Sequence, residues 1–249
     1  MRKLVKKEHY ILKNKSIKWL ALAGSVISFC EDLMEIFNTN SYYVEESFYS
    51  YHNWDEEEKV RIYLPKELER NNMPKRDSIE TIFSDAPMVS SVFWKSLYRR
   101  ALEVFIENII PLLKDKAKLS DTKHVEYMLL ITPKKIGVIL EGDVDKVRIP
   151  YIKTYVMAHT HPSPNCFFSQ KDIISSLDLF ANQGLLSAVI TTTCSAIMYR
   201  VDDMTVEDYE RLIIIGNMVK KGKLHSVLEE FSKLHSIKLM VIGVGSFPS

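Results

Sequence analysis

The chain has 249 residues and a formal net charge of +1, with 46% hydrophobic and 26% charged residues. This composition excludes a disordered or fibrous protein, and the near-neutral charge gives no electrostatic reason to expect nucleic acid or an anionic membrane as the main partner. The length suits one large domain, or one medium domain with a smaller companion.

The three cysteines, Cys30, Cys166 and Cys194, are few and odd in number, which does not indicate a disulfide framework. Unpaired cysteines fit the reducing cytoplasm. No apolar run approaches the roughly 18 residues that a membrane span requires. The sequence therefore predicts a cytoplasmic protein without a membrane partner.

In chain order, the first feature is a basic stretch over residues 1–18, followed by an apolar run over residues 19–30. This order superficially resembles a signal peptide, but the leading region is too long and no small-x-small cleavage site ends the apolar part. The run is therefore predicted to be a buried helix that continues through residue 37.

Residues 1–90 are predicted to form an N-terminal extension or small domain of uncertain fold and role. Every formal charge between residues 19 and 58 is acidic, and aromatic residues cluster there, namely Tyr42, Tyr43, Phe48, Tyr49, Tyr51 and Trp54. Core packing is the favoured interpretation of the aromatic residues. The alternative is a surface for a homodimer or complex partner, because aromatic patches are common at binding hot spots. Residues 64–78 are polar and proline-punctuated, as in a linker.

The rest of the chain alternates predicted helices with predicted strands. Helices are expected at 90–118, with an N-cap at Ser90 or Ser91 and a kink or break at Pro111, at 169–184, and at 205–236 with a break near Gly222. Strands are expected at 124–132, 154–161 and 237–245, with a hairpin at 135–150 and a strand pair at 185–201. This alternation predicts an α/β fold in which helices flank a mixed sheet.

The segment "VMAHTHPSPNCFFSQKDII", residues 156–174, combines the features of a metal site. His159 and His161 lie two residues apart on a predicted strand, so both imidazoles point to one face. Asp172 follows one turn into the next helix, from which its carboxylate can return to the two rings. Two histidines and one carboxylate are the ligand set of an open catalytic zinc site, although the same set also suits non-haem iron.

Ser169 and Asp172 also fit a structural interpretation, because Ser-x-x-Asp resembles a capping box at the start of a helix. Capping and metal binding are compatible, since the first turn of a helix presents its side chains toward the preceding loop. The same two residues can therefore serve both purposes.

The complete string resembles the signature of the JAMM (MPN+) metalloproteases: His159-Thr160-His161-Pro162, six residues, then Ser169-Gln170-Lys171-Asp172. The resemblance covers roughly residues 95–203, and Cys166 lies where many deubiquitinating members have cysteine. It implies a JAMM/MPN core of the cytidine-deaminase-like type over residues 91–204, on which C-terminal helices and a closing strand over 205–249 pack. It also implies one Zn²⁺ per chain, held by His159, His161 and Asp172.

The resemblance further implies a glutamate, upstream of the histidines, that takes the proton from the zinc-bound water. The candidates are Glu103, Glu107, Glu126 and Glu141. Glu126 is favoured because it is the only charge in an apolar strand, where an unpaired carboxylate is costly. Glu141 is expected to be exposed near a hairpin tip, and the other two lie on a helix face. The interval of 33 residues between Glu126 and His159 is short for the family. Ser169 is expected to stabilise the developing oxyanion.

The function that the resemblance implies is hydrolysis of an amide bond, often the isopeptide that joins the C-terminus of a ubiquitin-like modifier to a lysine. An alternative within hydrolases is trimming of a sulfur-carrier protein after its Gly-Gly tail. An alternative from another class is a non-catalytic MPN scaffold subunit, which is disfavoured because every ligand position is filled. A nucleic-acid-associated role is disfavoured by the neutral charge.

Overall fold

The computed structural model describes residues 9–56, 58–69, 73–86, 90–142, 152–162 and 166–243. Within these ranges the chain folds into two mixed β-sheets with helices packed around them. The predicted α/β class with a mixed sheet is therefore confirmed at this level. None of the described helices has both the length and the apolar character that crossing a bilayer demands.

The strands are β1 (His9–Leu12), β2 (Tyr43–Glu45), β3 (Val60–Pro65), β4 (Ile79–Ser84), β5 (Ser91–Phe93), β6 (Tyr127–Thr132), β7 (Ile136–Glu141), β8 (Val156–Thr160), β9 (Leu186–Ile190), β10 (Cys194–Arg200) and β11 (Ile237–Gly243). The helices are α1 (Lys15–Phe37), α2 (Glu46–Tyr49), α3 (Ser96–Val104), α4 (Ile110–Lys123), α5 (Gln170–Ala181), α6 (Val206–Lys220) and α7 (Leu224–Ser232). A 3₁₀ turn covers Lys66–Leu68, and a π-helical turn covers Phe105–Ile109.

The large sheet has the strand order β1-β7-β6-β8-β9-β10-β11. Strands β8 and β9 are parallel, and the other neighbours are antiparallel. The small sheet has the order β4-β3-β2-β5, in which β3 and β4 are parallel. The first 90 residues contribute to both sheets, because β1 pairs with β7 whereas β2, β3 and β4 lie in the small sheet.

The two faces of the large sheet bury separate apolar clusters, because successive side chains of a strand point to opposite faces. On the back face, Leu129 of β6 belongs to a cluster that includes Trp19 of α1 and Val104 of α3. On the front face, Leu130 of β6 packs in a cluster with Ile173 of α5. The central strands are thus covered on both sides, which explains their continuous apolar sequence.

Most of the aromatic cluster of the N-terminal region lies in the core, whereas Tyr43 and Tyr49 are half-buried. Trp19 stacks on Phe48 with ring centroids 5.2 Å apart, and Phe48 meets Trp54 edge-on at 5.7 Å. All three side chains are buried. Core packing, the favoured interpretation of the aromatic residues, is confirmed for these rings.

The irregularities in the predicted helices lie at or near the residues from which they were predicted. The helix expected over 90–118 is divided into α3 and α4 by the π-helical turn, and Pro111 lies in the first turn of α4. Proline has no N–H for the helical ladder, and the π-helical turn just before it changes the hydrogen-bonding pattern while the chain stays helical from 96 to 123. The helix expected over 205–236 is broken at Gly222, whose φ is 70°.

Two expectations differ from the structure, and a third is tested only in part. The N-cap at Ser90 or Ser91 is wrong, because residues 91–93 pair with β2 as strand β5 and the helix begins only at Ser96. The linker-like stretch 64–78 contains the end of β3 and the 3₁₀ turn, and it leads to β4 within the same sheet. The hairpin expected over 135–150 has its first strand in β7, and its second half lies outside the described residues.

A buried ion pair connects α1 to the end of β10. Arg200 donates from Nη2 to Oε1 of Glu31, and the Tyr98 hydroxyl of α3 donates to the same oxygen. Arg200 and Glu31 are only 1% and 3% exposed. The pair therefore joins the N-terminal helix to the large sheet through groups that have been removed from water.

Candidate metal centre

The centre begins at the end of β8, which lies between β6 and β9 in the large sheet. His159 is a buried residue of β8, and His161 follows the strand by one residue, where its N–H donates to the Ile190 carbonyl at 3.0 Å. Because the chain stays extended along β9, both imidazoles point to the front face. Their Nε2 atoms lie 3.0 Å apart, as the i, i+2 spacing predicts.

The third side chain comes from the first turn of α5. Ser169 is the N-cap of this helix, and its Oγ accepts a hydrogen bond from the Asp172 N–H at 3.3 Å. Oδ2 of Asp172 accepts the Ser169 N–H at 2.7 Å, which completes a capping box. The capping box orients the Asp172 carboxylate toward the histidines: Oδ1 lies 3.2 Å from Nε2 of His159, and Oδ2 lies 3.6 Å from Nε2 of His161.

These three side chains fit a single metal ion. One potential ligand atom from each lies within 4.8 Å of the others. A tetrahedral ion with bonds of about 2.1 Å has ligand atoms about 3.4 Å apart. The two Nε2 atoms lie 3.0 Å apart, and each lies 3.2 or 3.6 Å from one oxygen of the Asp172 carboxylate. The triad of His159, His161 and Asp172 can therefore bind a metal ion.

The electrostatics of the triad couple the carboxylate to the imidazoles. Burial raises the pKa of Asp172, but the hydrogen bond and charge of His159, followed by His161 and Ser169, outweigh burial and leave that pKa well below its usual range. Burial lowers the pKa of His159, but Asp172 and then Glu126 leave it raised overall. The pocket thus favours an anionic carboxylate and positive charge beside it, and a bound metal ion would supply that charge in place of the imidazole proton.

Glu126 lies at the edge of the triad. It immediately precedes β6, since the strand expected over 124–132 begins at Tyr127. Its Oε1 is 3.7 Å from Nε2 of His161, and its side chain is largely buried. Strand alternation continued from Met128, which pairs with His159, directs Glu126 to the front face.

Glu141 is the nearest alternative in sequence, but it lies elsewhere. It pairs with Tyr127 in the register of β6 and β7, so it faces the back of the sheet. Its expected exposure at a hairpin tip is wrong, because β7 extends through Glu141 and leaves it half-buried. Glu103 bonds to Arg99 and Arg100 on α3, and Glu107 is exposed in the π-helical turn.

A link between Cys166 and Cys194 was missed by the sequence interpretation. The two residues form a disulfide with Cα atoms 6.0 Å apart, whereas Cys30 is free and buried. Cys166 lies three residues before Ser169, and Cys194 begins β10. The odd, low cysteine count did not indicate a disulfide framework, and that interpretation is wrong for this pair. The pairing is hard to predict from the sequence because the two cysteines are 28 positions apart.

Among known proteins, no family model, curated sequence or solved structure matches this chain. The chemistry of the centre is therefore argued from the positions and environments of its own side chains.

Proposed function

We propose that this chain is a zinc-dependent metallopeptidase of the JAMM (MPN+) type, with one zinc ion per chain and a core fold of that family. The observation that carries the proposal is the convergence of His159, His161 and Asp172 on one point, with the Glu126 carboxylate 3.7 Å from a ligand nitrogen. A carboxylate at this distance is close enough to share a water molecule with the ligands.

The proposed mechanism gives each side chain a separate task. His159, His161 and Asp172 would hold the zinc ion, which would supply Lewis-acid chemistry at the site. Oε1 of Glu126 accepts the proton of the attacking water and later returns it to the leaving amine. The hydroxyl of Ser169, which accepts the Asp172 N–H, still has its own proton to donate to the developing oxyanion.

The proposed substrate is an amide at the C-terminus of a ubiquitin-like modifier. The support is the resemblance of the His159–Asp172 segment to the family signature, and the ligand geometry agrees with that signature. Trimming of a sulfur-carrier tail after Gly-Gly uses the same chemistry on a linear peptide. Cleavage of a lysine-linked modifier conjugate, compared with cleavage of a modifier that carries extra C-terminal residues, separates the two substrates.

The first experiment measures metal content by mass spectrometry in the wild type, His161→Ala and Asp172→Ala. We expect about one zinc per wild-type chain and loss of zinc in both variants, since each removes one of three protein ligands. His225→Ala is the matched control, because His225 is 93% exposed on α7, away from the triad. No bound zinc in the wild type after zinc is supplied would contradict the proposed metal site.

The second experiment adds both modifier substrates to the zinc-loaded wild type. Cleavage that requires zinc and is lost in Asp172→Ala supports the peptidase. Stoichiometric zinc without cleavage of either substrate would contradict the peptidase and favour the non-catalytic scaffold.

A further inference from the structure

Thr160 separates the two histidines and points to the opposite face of the large sheet. Its side chain is completely buried. Oγ1 lies 2.5 Å from the Ser120 hydroxyl of α4 and accepts the backbone N–H of Tyr127 at 2.9 Å. A single hydroxyl thus connects the ligand strand β8, the helix α4 and the start of β6.

The contact with Tyr127 occurs where the backbone pairing of β6 with β8 ends. The last pair of the ladder is Met128 with His159. One residue further, the Tyr127 N–H bonds to the Thr160 side chain, which therefore extends the pairing toward Glu126.

The peptide group between Glu126 and Tyr127 is consequently held at both ends. Its N–H donates to Thr160, and its carbonyl accepts the Gly142 N–H at 2.7 Å. A peptide plane with two hydrogen bonds cannot rotate freely, so the direction in which the Glu126 side chain leaves the backbone is fixed.

We propose that Thr160 is a positioning residue whose hydroxyl holds this peptide so that the Glu126 carboxylate stays beside the metal ligands. The inference rests on the proposed function, in which Glu126 moves the proton. Thr160 acts from the back face, so its effect on the reaction passes through the backbone of Glu126. The hydroxyl, rather than the volume of the side chain, is the group that matters.

Two substitutions separate the hydroxyl from the volume. Thr160→Val keeps the shape but removes the acceptor, which leaves the buried Tyr127 N–H without its partner. Thr160→Ser keeps the hydroxyl and removes one methyl group. Ser120→Ala is the matched control, because it removes the contact to α4 and leaves the contact to Tyr127 in place.

The kinetic test uses the lysine-linked modifier conjugate, with zinc content measured for each variant. In Thr160→Val we expect unchanged zinc content and KM with kcat reduced about 10- to 100-fold, because a small displacement of a catalytic group has an effect of this size. Thr160→Ser restores most of kcat, and Ser120→Ala loses less than Thr160→Val. Wild-type kcat in Thr160→Val, or equal losses in Thr160→Val and Thr160→Ser, would overturn the proposal.

A spectroscopic test is independent of turnover. The visible spectrum of the Co²⁺-loaded protein is recorded against pH in the wild type, Glu126→Gln, Thr160→Val and Thr160→Ser. We expect Thr160→Val to shift the pH at which the spectrum changes, in the same direction as Glu126→Gln does. In Thr160→Ser the spectrum should change at the same pH as in the wild type. If the spectrum of Thr160→Val changes at the same pH as that of the wild type, the proposal is overturned. A wild type that cleaves neither substrate contradicts the proposed function alone, and the spectra still decide the role of Thr160.

Circular dichroism first establishes that each variant is folded. If Thr160→Val does not fold, amide hydrogen exchange of Tyr127 in the wild type and Thr160→Ser replaces it. The proposal requires slow exchange of this amide in both proteins. Fast exchange in the wild type would mean that the hydroxyl does not hold the peptide.

Discussion

The alternation of side chains along β6 and β7 gives two nearby glutamates different environments. Glu126 faces the front of the large sheet and reaches His161, whereas Glu141 pairs with Tyr127 on the back. Both residues were candidates for the same task in the sequence. The geometry favours Glu126 for a reason that does not depend on burial, because only one face of a strand can carry the ligands and the base.

Substituting Glu126→Gln and Glu141→Gln separately tests this assignment. We expect Glu126→Gln to reduce kcat about 10²- to 10⁴-fold with zinc content unchanged, because general-base catalysis contributes an effect of this size. Glu141→Gln is the matched control and retains activity, since its carboxylate lies behind the sheet. Steady-state kinetics on the modifier conjugate measure both. A larger loss in Glu141→Gln than in Glu126→Gln would reverse the assignment.

At the scale of residues, the sequence was sufficient for contacts within a short segment. The convergence of His159, His161 and Asp172 follows from strand and helix spacing over 14 residues. The contacts of Thr160 with Tyr127, and of Cys166 with Cys194, could not be predicted. They join segments that are distant in the sequence, and which segments become neighbours is decided by the packing of the whole fold.

Among the elements, the junction between α6 and β11 depends on one carboxylate. Asp208 lies in the first turn of α6, and its oxygens accept the backbone N–H groups of His235 and Ser236 at 3.0 and 2.6 Å. The Ser236 hydroxyl donates as well, at 2.5 Å. Burial raises the pKa of Asp208, but these hydrogen bonds outweigh it and lower the pKa overall. The carboxylate thereby fixes the turn from which the edge strand begins.

Substituting Asp208→Asn tests the energetic contribution of this junction. Near neutral pH we expect a loss of about 1–3 kcal/mol in the free energy of unfolding, because hydrogen bonds to a buried charged acceptor are weakened. The pKa is lower in the folded state, so the stabilisation is present above the ordinary value of 3.8 and is lost as pH falls through the folded value.

Urea unfolding of the wild type and Asp208→Asn, near neutral pH and well below pH 3.8, measures the difference. The difference should shrink at the lower pH. Asp178→Asn, on an exposed position of α5, is the control and costs little at either pH. A cost of Asp208→Asn that does not change with pH would contradict the role of the charge.

Elements with strong local signals were predicted well. The irregular turn before Pro111 and the break at Gly222 follow from single residues with restricted or unusual backbone conformations. The small sheet was not predicted, because β2 and β5 have only three residues each and therefore show no clear alternation. The parallel pairing of β3 with β4 also depends on tertiary contacts.

At the scale of the whole molecule, the N-terminal region and the metal-site sheet share one interior. Ile17 and Trp19 of α1 lie in the same apolar cluster as Leu129 and Ile131 of β6. The role of the first 90 residues was left open in the sequence because composition does not specify which faces pack together. The Glu31–Arg200 pair shows that this shared interior includes charges as well as apolar side chains.

Substituting Glu31→Gln tests how strongly the two regions depend on each other. Burial raises the pKa of Glu31, and the opposing charge of Arg200 offsets this only in part. The neutral amide of Gln accepts the hydrogen bonds of Arg200 and Tyr98 less strongly than the carboxylate does, so we expect a cost of about 1–3 kcal/mol.

Urea unfolding compares this variant with Glu80→Gln, which breaks the exposed Arg61–Glu80 pair and should cost at most about 1 kcal/mol. Equal stabilities of the two variants would contradict the importance of the buried pair.

The pairing of β6 with β8 has a consequence for how chains of this kind can diverge. Glu126 reaches the ligands because Met128 lies opposite His159, and the number of residues that connect the two strands does not enter this geometry. Insertions or deletions between β7 and β8 can therefore accumulate without moving the centre. A change of one residue between His161 and Asp172 alters the loop that joins two ligands. The position of the ligands thus constrains the length of the connection between β7 and β8 less than it constrains the interval from His161 to Asp172.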